Sequence, residues 1–196
     1  MDVGLLYSGG KDSTLAALLL ERFCDVTLLC GSFGITDEYE HAQEAAAAVG
    51  LPSRRLDLDP VVAHEAVDRM VADGYPRHGI QQVHEHALET AATLEYEAIG
   101  DGTRRGDRVP TVDRALAQSI EDRYDSSYVA PLAGLGRRAV DQLVAETLVV
   151  ETGPSEEVAK GDYETELRAL ITEEYGRETV SSVFPDHLQS RVTGRQ

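Results

Sequence analysis

Lysine is almost missing from this chain: of 18 basic residues, only Lys11 and Lys160 are lysines, and the other sixteen are arginine. Tryptophan is absent, methionine and cysteine occur twice each, and aromatic residues make up 6% of the 196 positions. Each scarcity excludes something. Cys24 and Cys30 form no C-x-x-C pair, which rules against a zinc ribbon, an iron–sulfur site or a disulfide framework and suits small hydrophobes on or beside a strand. No apolar run approaches the roughly 20 residues of a membrane span, and the N-terminus lacks a charged-then-apolar signal region. A cytoplasmic, soluble protein is expected. With 35 acidic residues against 18 basic ones the net charge is −17, which argues against a broad nucleic-acid surface and leaves room only for a local basic groove.

An acid-rich, lysine-poor composition of this kind resembles the surface of salt-adapted, halophilic cytoplasmic proteins, whose carboxylates stay hydrated at high ionic strength. The acidity then reflects the solvent, and the two remaining lysines call for a functional explanation.

The length suits one α/β domain with a full core. Apolar or alternating runs at residues 3–7, 26–30, 54–58, 96–99 and 128–132 read as strands. Helical periodicity covers 12–23, 38–49, 61–73, 79–94, 111–124 with Thr111 as N-cap, and 136–148. Strands alternating with helices predict a five-stranded parallel sheet with helices on both faces. Residues 1–150 form the expected core. Residues 151–196, with a turn at 152–155 and a helix at 163–175, form a helical extension of the same domain.

What is most informative is Ser8-Gly9-Gly10-Lys11-Asp12-Ser13, between the first strand and the first helix. Paired glycines open backbone conformations closed to other residues and let a ligand approach the main chain. The helix that follows offers unpaired N–H groups and the positive end of its dipole, which together suit an anion. Ser8 and Ser13 add hydroxyls and Lys11 a point charge. Asp12 repels phosphate directly, so its use is through Mg2+ carried by a polyphosphate. The spacing is neither that of a Walker P-loop nor that of a G-x-G-x-x-G dinucleotide turn.

These six residues resemble the PP-loop of the N-type ATP pyrophosphatases, the superfamily that includes the synthetase domains of GMP synthetase and asparagine synthetase and several tRNA-thiolating enzymes. The resemblance spans residues 1–150 in arrangement, but only SGGKDS is specific. It implies a Rossmann-like, adenine nucleotide alpha hydrolase-like fold, ATP and Mg2+ as cofactors, and a reaction in which ATP is split between its α and β phosphates. AMP is placed on a substrate oxygen, and a nitrogen or sulfur nucleophile then displaces it.

Three further segments follow from that implication. Gly31-Ser32-Phe33-Gly34 ends the second strand, where the resemblance sets Ser32 and Phe33 against adenine or ribose; a flexible glycine turn with Phe33 returned to the core fits equally. Gly100-Asp101-Gly102-Thr103-Arg104-Arg105-Gly106-Asp107-Arg108 follows the fourth strand. Glycine-bounded arginines suit bidentate recognition of polyphosphate or carboxylate. Gly100 and Asp101 are expected at the nucleotide, Asp101 on Mg2+ or ribose, and Arg104 and Arg105 on phosphate or substrate. Lys160 either belongs to a glycine turn before a helix capped by Asp162, with Glu164 and Glu166 complementing the helix dipole, or folds back over the nucleotide to neutralise departing pyrophosphate.

His78, His84 and His86 lie close in sequence, but positions two apart on a helix face different ways, so His84 and His86 do not chelate one ion from regular helix. Gln81 and His84 share a face that approaches the substrate pocket. The expected function is therefore adenylation, with Lys11, Asp12, Arg104, Arg105 and Lys160 as catalytic residues and Asp12 and Asp101 as metal ligands. The acceptor is a small molecule or tRNA, and a homodimer is compatible with the chain. Two rivals stand beside it: tRNA thiolation, for which Cys30 is the one sulfur candidate, and an ATP- or AMP-binding sensor without turnover.

Overall fold

A computed structural model describes every residue except 156. Five parallel strands, β1 (Asp2–Leu6), β2 (Asp25–Ser32), β3 (Ser53–Asp57), β4 (Ala98–Gly100) and β5 (Ser127–Val129), form a sheet in the order β3-β2-β1-β4-β5. The chain lays down β1, β2 and β3 on one side and then returns to the other side of β1 for β4. Strand order reverses between β1 and β4, and the carboxyl ends of these strands frame a crevice there. The Rossmann-like α/β expectation holds.

Side-chain alternation along β1 divides the core. Val3, Leu5 and Tyr7 face one layer, with α1 (Lys11–Leu20), α2 (Tyr39–Ala48) and α6 (Arg137–Thr147). Leu6 faces the other, with α3 (Pro60–Asp73), α4 (Arg77–Ala92), α5 (Arg114–Tyr124), α7 (Tyr163–Tyr175) and α8 (Arg177–Val183). Gly4 shares the Leu6 side because Tyr96 covers it; a Cβ there would lie 2.7 Å from the tyrosine ring. Buried on both faces, the strands read as nearly continuous apolar runs.

Most boundaries move by one to three residues, and three differences change what a segment does. Helix α5 starts after Asp113, whose carboxylate accepts from the Leu116 N–H at 2.8 Å, so Asp113 and not Thr111 is the N-cap. Strand β5 stops at Val129, ahead of the turns around Pro131. Residues 152–154, read as a turn, continue strand β6 (Leu148–Pro154), which pairs antiparallel with β7 (Leu188–Arg195). The C-terminal part is therefore two helices flanked by a β-ribbon. The ribbon reaches the first turn of the chain: the Val192 N–H donates to the Gly9 carbonyl at 2.9 Å, and Ser190 Oγ accepts from the Lys11 N–H at 3.2 Å.

Candidate functional site

A cavity of about 520 Å3 lies at the β1–β4 switch point, within the range of small-molecule sites. Ser8, Asp12 and Ser13 line one side, Asp101 to Arg104 a second, and His84 on α4 a third. Residues 161–164 and the segment 184–189 close it from the C-terminal part. Of the segments expected at a nucleotide, the 8–13 turn and the loop after β4 are thus brought around one volume.

The 8–13 turn has the form its glycines require. Gly9 sits at φ +79°, a region costly for residues with a Cβ, and packs on α2 with the Cβ of Ala45 3.2 Å from where its own would stand. Gly10 is the N-cap of α1 and offers no side chain; its carbonyl accepts from Thr14 Oγ1 at 2.8 Å and Ser13 Oγ at 3.2 Å. The Lys11 N–H is taken by Ser190, whereas the N–H groups of Asp12 and Ser13 have no acceptor among the described residues. Ser8 Oγ and Ser13 Oγ lie 3.3 Å apart. Two free helix N–H groups, two hydroxyls and the helix dipole make an anion cradle. Tyr7, just before it, hydrogen-bonds Thr14, and burial pushes its hydroxyl up to about 12, so it stays a neutral strut.

Lys11 does not point freely into the cavity. Its Nζ bonds Asp12 Oδ1 at 2.9 Å and Asp141 Oδ1 on α6 at 2.8 Å. That bond holds the Asp141 carboxyl below the usual carboxylate range. Arg104 reaches Asp12 at 3.6 Å and is fixed by Asp107 at 2.8 Å. A cationic pair thus flanks Asp12 at the cradle's edge. Arg105 turns away from the cavity: its N–H donates to the Leu135 carbonyl, and its guanidinium lies over Gly136.

Asp101 corrects the expectation made of it. It is 2% exposed and saturated: Oδ2 accepts from His84 Nε2 at 2.7 Å and Tyr128 Oη at 3.1 Å, and Oδ1 from the Thr103 N–H at 2.8 Å and Thr103 Oγ1 at 2.6 Å. Burial opposes its charge, but the hydrogen bond and charge of His84 and the Thr103 donors outweigh it and hold the carboxyl below its ordinary value. Four donors leave no lone pair for Mg2+. Among the described residues no three His, Cys, Asp or Glu side chains converge as a metal cage. Asp12 alone fits the cation, because Mg2+ keeps several waters and asks for one or two carboxylates plus phosphate oxygens. What Asp101 does is orient His84, which lines the cavity with Nδ1 free of any partner among the described residues. Its Nε2 engaged by a carboxylate, the ring is equipped to take a proton from a group in the cavity. Tyr163 lies edge-on to it, 6.3 Å between ring centres.

Ser32 and Phe33 are also corrected. Both are buried outside the cavity lining, Phe33 within the core. Their loop is tied instead to Glu166 of α7, which accepts from Ser32 Oγ and from the N–H groups of Phe33, Ile35 and Thr36 at 2.9 to 3.3 Å. Burial and four donors make Glu166 the clasp between extension and core, beyond the helix-dipole role expected of it. Gly100 serves close strand packing, since a Cβ would meet the Val129 carbonyl at 2.2 Å. Gly102 does the same against α1, with Ser13 Cα 2.7 Å away.

Lys160 is 4% exposed and outside the cavity lining, with Asp162 Oδ2 at 3.1 Å and Glu164 Oε1 at 3.7 Å. Asp162 caps α7 by accepting from the Thr165 N–H. Of the two readings, the turn-and-cap one describes what Lys160 does here: it neutralises carboxylates that line the cavity. The histidines diverge, as helix geometry requires. His78 bonds Asp73 on the surface, His86 accepts from the Asp59 N–H, and only His84 reaches the cavity. Gln81 clamps Thr111 instead of approaching the cavity. Cys30 is wholly buried in β2, and burial pushes its thiol up to about 12, so it is no sulfur carrier. Among the described residues no helix is long and apolar enough to cross a membrane.

Similarity to known proteins covers the whole chain. An uncharacterized protein of Methanocaldococcus jannaschii is 37% identical over 195 residues, covering 99% of this chain and 96% of the relative. A crystal structure described as a predicted subunit of tRNA methyltransferase, also from Methanocaldococcus jannaschii, is 36% identical, with a TM-score of 0.90 over 100% of this chain and 98% of that one. The profile of a family of unknown function, DUF7411, matches residues 1–194, and the chain belongs to that family.

Proposed function

We propose that the protein is a Mg2+-dependent, ATP-binding enzyme that adenylates an oxygen of a tRNA acceptor and releases pyrophosphate. The observation that carries this reading is the cradle of Ser8, Ser13 and the free Asp12 and Ser13 N–H groups, opening on a nucleotide-sized cavity at the sheet's switch point. The pyrophosphate moiety sits in the cradle. Asp12 would hold the Mg2+ that ATP brings, a cation that would supply charge neutralisation to the phosphate oxygens. Lys11 and Arg104, already beside Asp12, offset the charge that builds on the leaving group. The acceptor oxygen attacks the α-phosphorus in line, so positioning and electrostatics supply the catalysis and no protein nucleophile is required. His84 takes the proton of the group that later displaces AMP.

The tRNA acceptor rests on the similarity to the predicted tRNA methyltransferase subunit. A sulfur nucleophile would have to come from outside the chain, because Cys30 is buried and protonated. The test is incubation with Mg2+, tRNA and ATP labelled at the α and γ phosphates. AMP and pyrophosphate, formed only with tRNA present, support the reading; ADP and orthophosphate defeat it.

A further inference from the structure

Six basic residues come from three segments at one edge of the cavity: Lys11 at the start of α1, Arg104, Arg105 and Arg108 on the loop after β4, whose residues 101–104 and 107 line the cavity, and Arg137 and Arg138 on the first turn of α6. Contacts tie the three segments together. Lys11 bonds Asp141 of α6, the Arg105 N–H donates to the Leu135 carbonyl at 3.0 Å, and the Arg105 guanidinium lies 3.1 Å from where a Cβ on Gly136 would stand. Three carboxylates share the rim, Asp12, Asp107 and Asp141, and all are engaged by Lys11, Arg104 or Arg137. Arg105, Arg108 and Arg138 are exposed and make no ion pair among the described residues, and Arg137 is 82% exposed. Elsewhere the chain carries twelve basic residues against thirty-two acidic ones.

We infer that this rim is a docking surface for the phosphodiester backbone of a structured RNA. It deepens the proposed function and rests on the cavity being where an RNA acceptor is modified. Arginines left without carboxylates, on a protein with a twofold excess of acid, hold positive potential that the chain does not neutralise itself. Guanidinium forks match phosphate oxygens bidentately. Phosphate contacts fix register without reading sequence, and the acidic remainder repels backbone everywhere else, so RNA is held at this one edge. A nucleotide entering the cavity would place its flanking phosphates on the rim. That geometry favours RNA over an acidic protein, which has no reason to lie at the cavity mouth.

Fluorescence anisotropy with a fluorescein-labelled tRNA transcript, between about 50 and 200 mM KCl, tests this. The wild-type protein is expected to bind, with log K falling linearly in log salt. R137E/R138E is expected to weaken binding at least about tenfold and to flatten the salt slope by about two, one for each arginine withdrawn from a phosphate. R105Q/R108Q should act in the same direction, and R22E, just beyond the far end of α1, should leave binding unchanged. Circular dichroism confirms the fold of each variant. Absence of binding at the lowest salt, equal binding by the rim variants, or tighter binding of labelled poly-glutamate than of tRNA overturns the proposal. ATP affinity, measured separately by calorimetry, distinguishes its failure from that of the nucleotide reading: a wild-type protein that binds ATP but not tRNA removes the rim alone, and one that binds tRNA through the rim but not ATP removes the ATP site alone.

Discussion

Replacing His84 with alanine strips the buried Asp101 carboxylate of its imidazole partner. Removing one member of a buried pair typically costs about 3–5 kcal/mol, because the charge left behind has lost its compensation. Here Thr103 and Tyr128 still donate three hydrogen bonds to Asp101, so the lower end applies, about 3 kcal/mol. For a domain of this size that is a fall in Tm of roughly 6–12 °C. The pH dependence gives the sharper signature. In the native protein the Asp101 pKa is depressed, so its contribution is fully present above the unfolded carboxyl value and is lost as pH falls through the lower folded value. Without His84 the main depressing contribution is gone and burial still opposes the charge. The folded pKa rises, and the residue now contributes less as pH increases. Urea unfolding of both proteins from about pH 4 to 7, followed by circular dichroism, should therefore show a stability gap that widens with pH. His84→Gln, which keeps an N–H donor, should lie between the two. A pH-independent gap, or a loss below about 1 kcal/mol at neutral pH, would refute the His84–Asp101 pairing.

Other expectations follow from packing. Glu166→Ala leaves four donors of the 32–36 loop unpaired and should cost about 3 kcal/mol, with faster hydrogen exchange at Phe33, Ile35 and Thr36; protection equal to wild type would contradict its role as clasp. Gly102→Ala drives a Cβ to within 2.7 Å of Ser13 Cα and should cost about 1–3 kcal/mol, read by thermal melting, because the cradle and the 101–104 segment must separate. Native protein should show one reactive thiol with a disulfide reagent, the half-buried Cys24; Cys30 reacting equally fast would undo the case against it as a sulfur donor.

The sheet and the site's location were legible because buried parallel strands write themselves as apolar runs, and because a double-glycine turn at a strand end has few uses. Ser8-to-Ser13 and the Asp101–Arg104 segment accordingly frame the cavity. What sequence did not show are the long-range partners. Strands β6 and β7 lie more than thirty residues apart with two helices between them, so no local turn signals their pairing. Asp101 has the same sequence appearance whether it ligates a metal or orients a histidine seventeen positions earlier. Glu166 looks like a helix-dipole residue until the loop it clasps, more than 130 positions earlier, is seen beside it. Ser32 and Phe33 lie at a strand end, as a ligand-contacting pair would, but the clasp turns them into the core. For Lys11, which the lysine scarcity singled out, the partners are Asp12 beside it and Asp141, which lies 130 positions later and is invisible in the sequence. For Lys160 the scarcity marked a buried charge-balancing role.

Calorimetric titration with ATP and Mg2+ reads whether the 8–13 turn holds the polyphosphate of ATP. The pair to compare is the wild-type protein and Ser8→Asp, in which a carboxylate enters the cradle at a partly exposed position and whose fold is checked by circular dichroism. Saturable binding by the wild type and at least about a hundredfold weaker binding by the variant, a loss of some 2.7 kcal/mol, is the expected result. No binding to the wild type, or equal affinity in both proteins, would contradict the account.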